Sequence, residues 1–124
     1  MKKILLVGCG HMGSALLDTW YRKKLFNISV VDPKTHKILK RKYANRVSIY
    51  KSIEEINHVQ QFNVIIFAVK PQIAKNIVSK FYLINNKKVL FLTIIAGKKI
   101  KFFEKYLASP HQIIRVMPNM PAIV

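Results

Sequence analysis

The chain has 124 residues, 51% of them hydrophobic, with 22 Lys+Arg against 5 Asp+Glu and a formal net charge of +17. That length suits one domain, and the apolar content supports a packed core, which excludes a disordered chain. One cysteine excludes an intramolecular disulfide, and no apolar stretch approaches the roughly 20 residues of a membrane helix.

Lys2-Lys3 before an apolar run mimics the start of a secretory leader, but Gly8, Gly10 and His11 break the run almost at once. A cytoplasmic protein is therefore expected. The positive charge raises the question of nucleic acid. The lysines are spread along the whole chain, with no basic arm, Arg-rich cluster or zinc or aromatic RNA-binding motif. Nucleic acid is not the expected partner. The excess reads as a solvated basic surface whose field draws in a polyanionic cofactor.

The first predicted strand, Lys2 to Val7, runs into Gly8-Cys9-Gly10-His11-Met12-Gly13 and then a helix. This is G-x-G-x-x-G spacing between a strand and a helix, the context of a dinucleotide turn. Gly8 lets the chain leave the strand tightly, Gly10 leaves room for a pyrophosphate at the backbone, and Gly13 allows close helix–strand packing. The free N–H groups of the helix start, at the positive end of its dipole, face the phosphates. Cys9 fills a variable position of the turn; a reactive thiol is the alternative. The helix is expected to bury a face of Met12, Ala15, Leu16, Thr19 and Trp20.

A short strand, Ile28 to Asp32, ends at Pro33. Asp32 lies about 20 positions past Gly13, the offset of the acid that hydrogen-bonds an adenosine ribose. It also suits the start of an Asp-Pro turn. Donors on Lys34, Thr35, His36 and Lys37 could hold a ribose 2′-phosphate. A basic helix over Thr35 to Tyr43 and a weak strand over Val47 to Tyr50 follow. Ser52 and Glu55 have capping-box spacing, and open a short helix to about Val59.

Val64 to Val69 is a continuous apolar run, as in a central strand of a parallel sheet. Pro71 then sits in the first turn of a helix with Ile73, Ala74, Ile77, Val78 and Phe81 on one face. Val89 to Ile95 is another buried strand, leaving through Ala96-Gly97. A helix carrying Ile100, Phe103 and Leu107, and a last strand from Gln112 to Val116, complete the series. Strands and helices alternate throughout, which predicts an α/β fold: a Rossmann-type, doubly wound, mainly parallel sheet in the order 3-2-1-4-5-6, with residues 1–124 one dinucleotide-binding domain. Gly8–Gly13, Asp32–Lys34, Ala68–Pro71 and Ile95–Gly97 are expected to converge at the carboxyl edge of the sheet.

Three segments, Phe67-Ala68-Val69-Lys70-Pro71-Gln72, Ile94-Ile95-Ala96-Gly97 and Arg115-Val116-Met117-Pro118-Asn119-Met120-Pro121-Ala122-Ile123-Val124, closely resemble pyrroline-5-carboxylate reductase. The resemblance runs from Lys3 to Val124 and is most specific in the final decapeptide. It implies an oxidoreductase that reduces the imine of 1-pyrroline-5-carboxylate to proline, the last step of proline biosynthesis, with NADPH as cofactor and NADH as the alternative. It further implies that Gly8, Cys9, Gly10, His11, Met12 and Gly13 hold the pyrophosphate and that Asp32, Pro33 and Lys34 flank the adenosine ribose. Ala68, Val69, Lys70, Pro71, Ala96 and Gly97 would line the nicotinamide side. Met117, Pro118 and Asn119 would lie near the imine.

The sequence departs from the family at His11, where asparagine is frequent, and His11 reads as a helix-start residue. The family chain is longer. Its helical second half makes the homo-oligomer and most of the substrate pocket, so these residues are expected to be a lone cofactor-binding half, inactive by itself. No residue stands out as proton donor to the imine, and the histidines lack metal-ligand spacing. Rival readings are a non-catalytic NADP-binding remnant, a 6-phosphogluconate dehydrogenase-like reductase, and a basic nucleic-acid-binding module on the same fold.

Overall fold

The computed structural model describes residues 1–24, 26–43, 46–84, 87–107 and 111–117. They form one six-stranded sheet in the order β3-β2-β1-β4-β5-β6. The strands are β1 (Lys3–Val7), β2 (Asn27–Val31), β3 (Val47–Tyr50), β4 (Val64–Phe67), β5 (Leu90–Thr93) and β6 (Gln112–Arg115). All five neighbouring pairs are parallel, so the predicted architecture and strand order hold. The order reverses between β2 and β4 on the two sides of β1, the switch point at which such sheets bind ligands.

Side chains alternate between two buried faces. Ile4 and Leu6 of β1 join Ile28, Val30 and Ile66 beneath α1 (His11–Lys23) and α2 (His36–Lys42). Leu5 and Val7 join Ile65, Phe67 and Phe91 beneath α3 (Ala74–Val78) and α4 (Ile100–Tyr106). A period-2 strand with both faces covered is apolar at every position, which is why β1 and β4 read as unbroken runs. Phe67 is the hub of the second face, with ring centroids 5.2 Å from Phe81, 5.8 Å from Phe91 and 5.9 Å from Phe103.

Three expectations change. The sheet-facing stripe of α1 is Gly13 and Leu17, whereas Ala15 and Thr19 face solvent. A glycine at the closest approach sets this helix's rotation, so a count of apolar side chains misplaces its buried face. The helix expected after Ser52 is two 3-10 turns, Ile53–Glu55 and Val59–Gln61. The capping box itself forms, with Glu55 Oε1 accepting from the Ser52 N–H at 3.1 Å. On the helical segment after β4, Ala74, Val78 and Phe81 are buried while Ile73 is exposed and Ile77 half-buried. Ile73 and Ile77 instead line a cleft.

Candidate dinucleotide site

At the carboxyl ends of β1, β2 and β4 lies a cleft of about 520 Å³. It is lined by Gly8, Cys9, Gly10 and His11 from the β1–α1 turn, and by Asp32, Pro33, Lys34 and Thr35 after β2. Lys51, Ser52 and Ile53 follow β3; Ala68, Val69 and Lys70 follow β4; Ile73, Ile77 and Lys80 come from the helical segment beyond.

The three glycines differ in what a side chain would meet. Gly8 has φ +95°, and a Cβ there would lie 2.8 Å from both the Ala68 carbonyl oxygen and Val69 Cγ1. Any other residue would be strained twice, by its backbone and by the β4 loop. A Cβ on Gly13 would lie 2.6 Å from the Gly8 carbonyl oxygen, so α1 can sit this close to the turn only with glycine. At Gly10 a Cβ would meet nothing within 4 Å. The backbone at that position borders open space in the cleft. α1 begins there with no side-chain cap and no acid in its first turn. Its first N–H groups are thus left for an anion, and the dipole's positive end points the same way.

Asp32 connects the loops. Its Oδ2 accepts from the Cys9 N–H at 2.6 Å, and its Oδ1 from the N–H groups of Lys34 at 2.8 Å and Thr35 at 3.2 Å. A carboxylate offers about four acceptor positions, so three backbone donors leave about one for a ribose hydroxyl. The Thr35 Oγ1 is buried and has no hydrogen-bond partner among the described residues. A buried hydroxyl of that kind is ordinarily satisfied, and here it belongs to a residue lining the cleft. Lys34, Lys51, Lys70 and Lys80 add positive charge to the same lining. Open backbone at Gly10, an uncapped helix start, an orphan hydroxyl and four lysines fit a ligand carrying several phosphates.

Cys9 is buried and free. Burial pushes its thiol above the ordinary value; the hydrogen bond with Ser14 works against this and the neighbouring Asp32 carboxylate adds to it. It is therefore an inert filler of the turn and not a nucleophile.

Of the residues singled out from the sequence, Gly8, Cys9, Gly10, His11, Asp32, Pro33, Lys34, Ala68, Val69 and Lys70 come together in the cleft. Met12, Gly13 and Pro71 lie outside the lining, with Gly13 packed against the Gly8 carbonyl. Ala96 and Gly97 follow β5 and are exposed; they do not line the cleft. Met117 is 68% exposed and shares a separate depression with Lys99, Ile100, Lys101 and Arg115. Pro118 and Asn119 lie outside the described residues. Lys51, Ser52, Ile53, Ile73, Ile77 and Lys80 also line the cleft, and no motif in the sequence marks them as site residues. Ser52 belongs to the capping box, and Ile73 and Ile77 to a helical face.

The family described as NADP oxidoreductase coenzyme F420-dependent matches residues 3–97. The chain belongs to that family. Among curated proteins it is 31% identical over 121 residues to a pyrroline-5-carboxylate reductase of Glycine max, covering 95% of this chain and 43% of that protein. A pyrroline-5-carboxylate reductase of Escherichia coli (strain K12) is also 31% identical, over 126 residues, covering 99% and 46%. The chain thus spans a little under half the length of these relatives. Among solved structures, a pyrroline-5-carboxylate reductase from Coxiella burnetii superposes with a TM-score of 0.81 at 22% identity, over 95% of this chain and 44% of that one, a likeness of fold. The resemblance read from the sequence is borne out, and the cofactor class is a nicotinamide dinucleotide. No helix among the described residues is long and apolar enough to cross a membrane.

Proposed function

We propose that residues 1–124 are the cofactor-binding domain of a pyrroline-5-carboxylate reductase, with NADPH as the preferred cofactor. The observation that carries the cofactor reading is the Gly10 turn, where backbone, helix N-terminus and cleft meet with no side chain between them. The substrate reading rests on the relatives, each named for pyrroline-5-carboxylate reduction.

When bound, the reduced nicotinamide would supply the hydride that adds to the imine carbon of 1-pyrroline-5-carboxylate, and with a proton taken up at the imine nitrogen this gives proline. The chain's own residues bind and orient. The first N–H groups of α1 and the Gly8–Gly10 backbone hold the pyrophosphate, and the Asp32-braced loop with Lys34 and Thr35 meets the adenosine ribose. Ala68, Val69 and Lys70 lead from the pyrophosphate toward the nicotinamide. Ala96 and Gly97, past the end of β5, would line the nicotinamide side, and Met117, past the end of β6, would lie near the imine. They are exposed here, so the nicotinamide side requires further protein to exclude water and align the imine.

The test is a chimera of residues 1–117 joined to the remaining half of the Escherichia coli relative, placed in a strain that requires proline. Growth without proline is expected. A chimera that folds and binds NADPH yet forms no proline from the imine would refute the substrate assignment.

A further inference from the structure

The cleft's second wall carries cations from two separate elements. Val31 pairs with Tyr50 in parallel register, and the Asp32 N–H donates to the Tyr50 carbonyl at 3.0 Å. Lys51 therefore leaves β3 beside the residue that would face an adenosine ribose. Its own N–H donates to Glu55 Oε1 at 2.5 Å, so the capping box fixes where its side chain starts. Lys80 arrives from the 3-10 turn Ser79–Phe81, and it lines the same cleft. Its Nζ lies 3.3 Å from Glu54 Oε1. Ile53, from the 3-10 turn after β3, and Ile73 and Ile77, from the segment after β4, offer an apolar surface suited to a base.

The first wall contributes Lys34 and the orphan hydroxyl of Thr35. The acid that would repel a phosphate there, Asp32, is covered by three backbone N–H groups. Resting on the reading of this cleft as a nicotinamide dinucleotide site, we propose that Lys51 and Lys80 are specificity-determining residues. With Lys34 and Thr35 they select a dinucleotide bearing a phosphate on the adenosine ribose 2′ position, and Glu54 opposes that selection by competing for Lys80.

The chemistry favours the exchange. A ribose phosphate presents a charge near −2 and three strong acceptors, matching ammonium and hydroxyl donors. The Lys80–Glu54 pair is half-exposed, with side chains 43% and 67% accessible. Such pairs are weak and screened, so a dianion can draw Lys80 away from Glu54. The backbone N–H groups of Lys51 and Ser52 donate to Glu55, so the capping box survives a change at Glu54, and Glu54→Gln keeps an acceptor oxygen for the Ser52 hydroxyl.

The experiment titrates the 124-residue chain and its Lys51→Gln, Lys80→Gln and Glu54→Gln variants by calorimetry. Adenosine 2′,5′-bisphosphate is compared with AMP, and NADPH with NADH. Each lysine variant is expected to weaken the 2′-phosphorylated ligands about fivefold while AMP and NADH move by less than about twofold. Glu54→Gln should tighten the 2′-phosphorylated ligands about twofold. Equal losses for both members of each pair, or no loss for the phosphorylated ones, would overturn the proposal and leave the dinucleotide site standing. An unaltered chain that binds neither NADPH nor NADH would remove the dinucleotide site, and this proposal with it.

Discussion

The Cys9 N–H donates to Asp32 Oδ2 at 2.6 Å across 23 positions of sequence. That bond, with those from Lys34 and Thr35 to Oδ1, fastens the glycine turn to the loop after β2. The two loops that would meet pyrophosphate and ribose are therefore one braced unit. Asp32 holds the site's shape whether or not a ribose hydroxyl takes its remaining acceptor position.

Asp32→Ala should consequently damage stability as well as binding. It strands three N–H groups that a charged acceptor had satisfied. Hydrogen bonds to charged groups contribute about 1.5–3 kcal/mol each, not fully additively, so a loss of about 3–5 kcal/mol is expected. Urea unfolding measures it; a loss below about 1 kcal/mol would show that the brace is dispensable.

The glycines should separate by mechanism. Gly8→Ala and Gly13→Ala should lower the melting temperature, because a Cβ at either position meets the Ala68 or Gly8 carbonyl oxygen at under 3 Å. An Ala scan read by thermal melting checks this; equal melting temperatures for the variants and the unaltered chain would contradict the close packing described.

Glycine roles were legible from spacing because the strand–turn–helix context is local, although the atoms that exclude a side chain at Gly8 belong to Ala68 and Val69 of the loop after β4. The strands were legible because both faces of the sheet are covered, so their runs are apolar throughout. Lys51 and Lys80 were not legible as site residues. Lys51 reaches the cleft through the Val31–Tyr50 register and Lys80 through the packing of the segment after β4, and neither leaves a local pattern. Ile73 and Ile77 carry helical periodicity, which speaks for a buried face and cannot distinguish core from cleft wall. The Ala96-Gly97 turn was expected to converge with the others. It follows β5, two strands from β1, and lies outside the lining of the cleft centred on the switch point.

Phe67→Ala removes the ring on which Phe81, Phe91 and Phe103 converge. Large-to-small changes at such positions cost about 3–5 kcal/mol, a large share of a small domain's stability. Chemical denaturation should show a loss of that size; under about 1 kcal/mol would mean that the second core does not depend on this hub.

The pH dependence follows from burial and capping. The folded-state pKa of Cys9 lies above the ordinary thiol value of 9.0, and that of Tyr43 above 10.0, in both cases chiefly through burial. Their contributions are fully present below those values and are lost as pH rises toward the folded-state pKa values. Glu55 is lowered from 4.5 by backbone N–H donors at Lys51 and Ser52, so its contribution is present above 4.5 and lost as pH falls through the lowered value. Stability measured against pH should decline beyond both limits, and Cys9→Ala should flatten part of the alkaline decline. An unchanged alkaline limb in that variant would remove Cys9 from the explanation.

Taken by itself, the 124-residue chain should bind NADPH without reducing 1-pyrroline-5-carboxylate at a useful rate. Ala96, Gly97 and Met117 are exposed, and an imine meeting an open nicotinamide forfeits about 7–11 kcal/mol of positioning. NADPH oxidation with the imine added should stay near background. Turnover on the order of 1–10³ s⁻¹ would show that these 124 residues already complete the substrate pocket.

The most direct measurement is calorimetric titration of NADPH into the unaltered chain and into Gly10→Val. A Cβ at Gly10 meets nothing within 4 Å, so the variant should fold, its melting temperature lowered only by the poorer N-cap, while its side chain occupies the pyrophosphate's approach. Saturable binding to the unaltered chain, abolished in the folded variant, is the predicted result. Equal NADPH affinity in the two proteins would contradict the assignment of the glycine turn as the dinucleotide site.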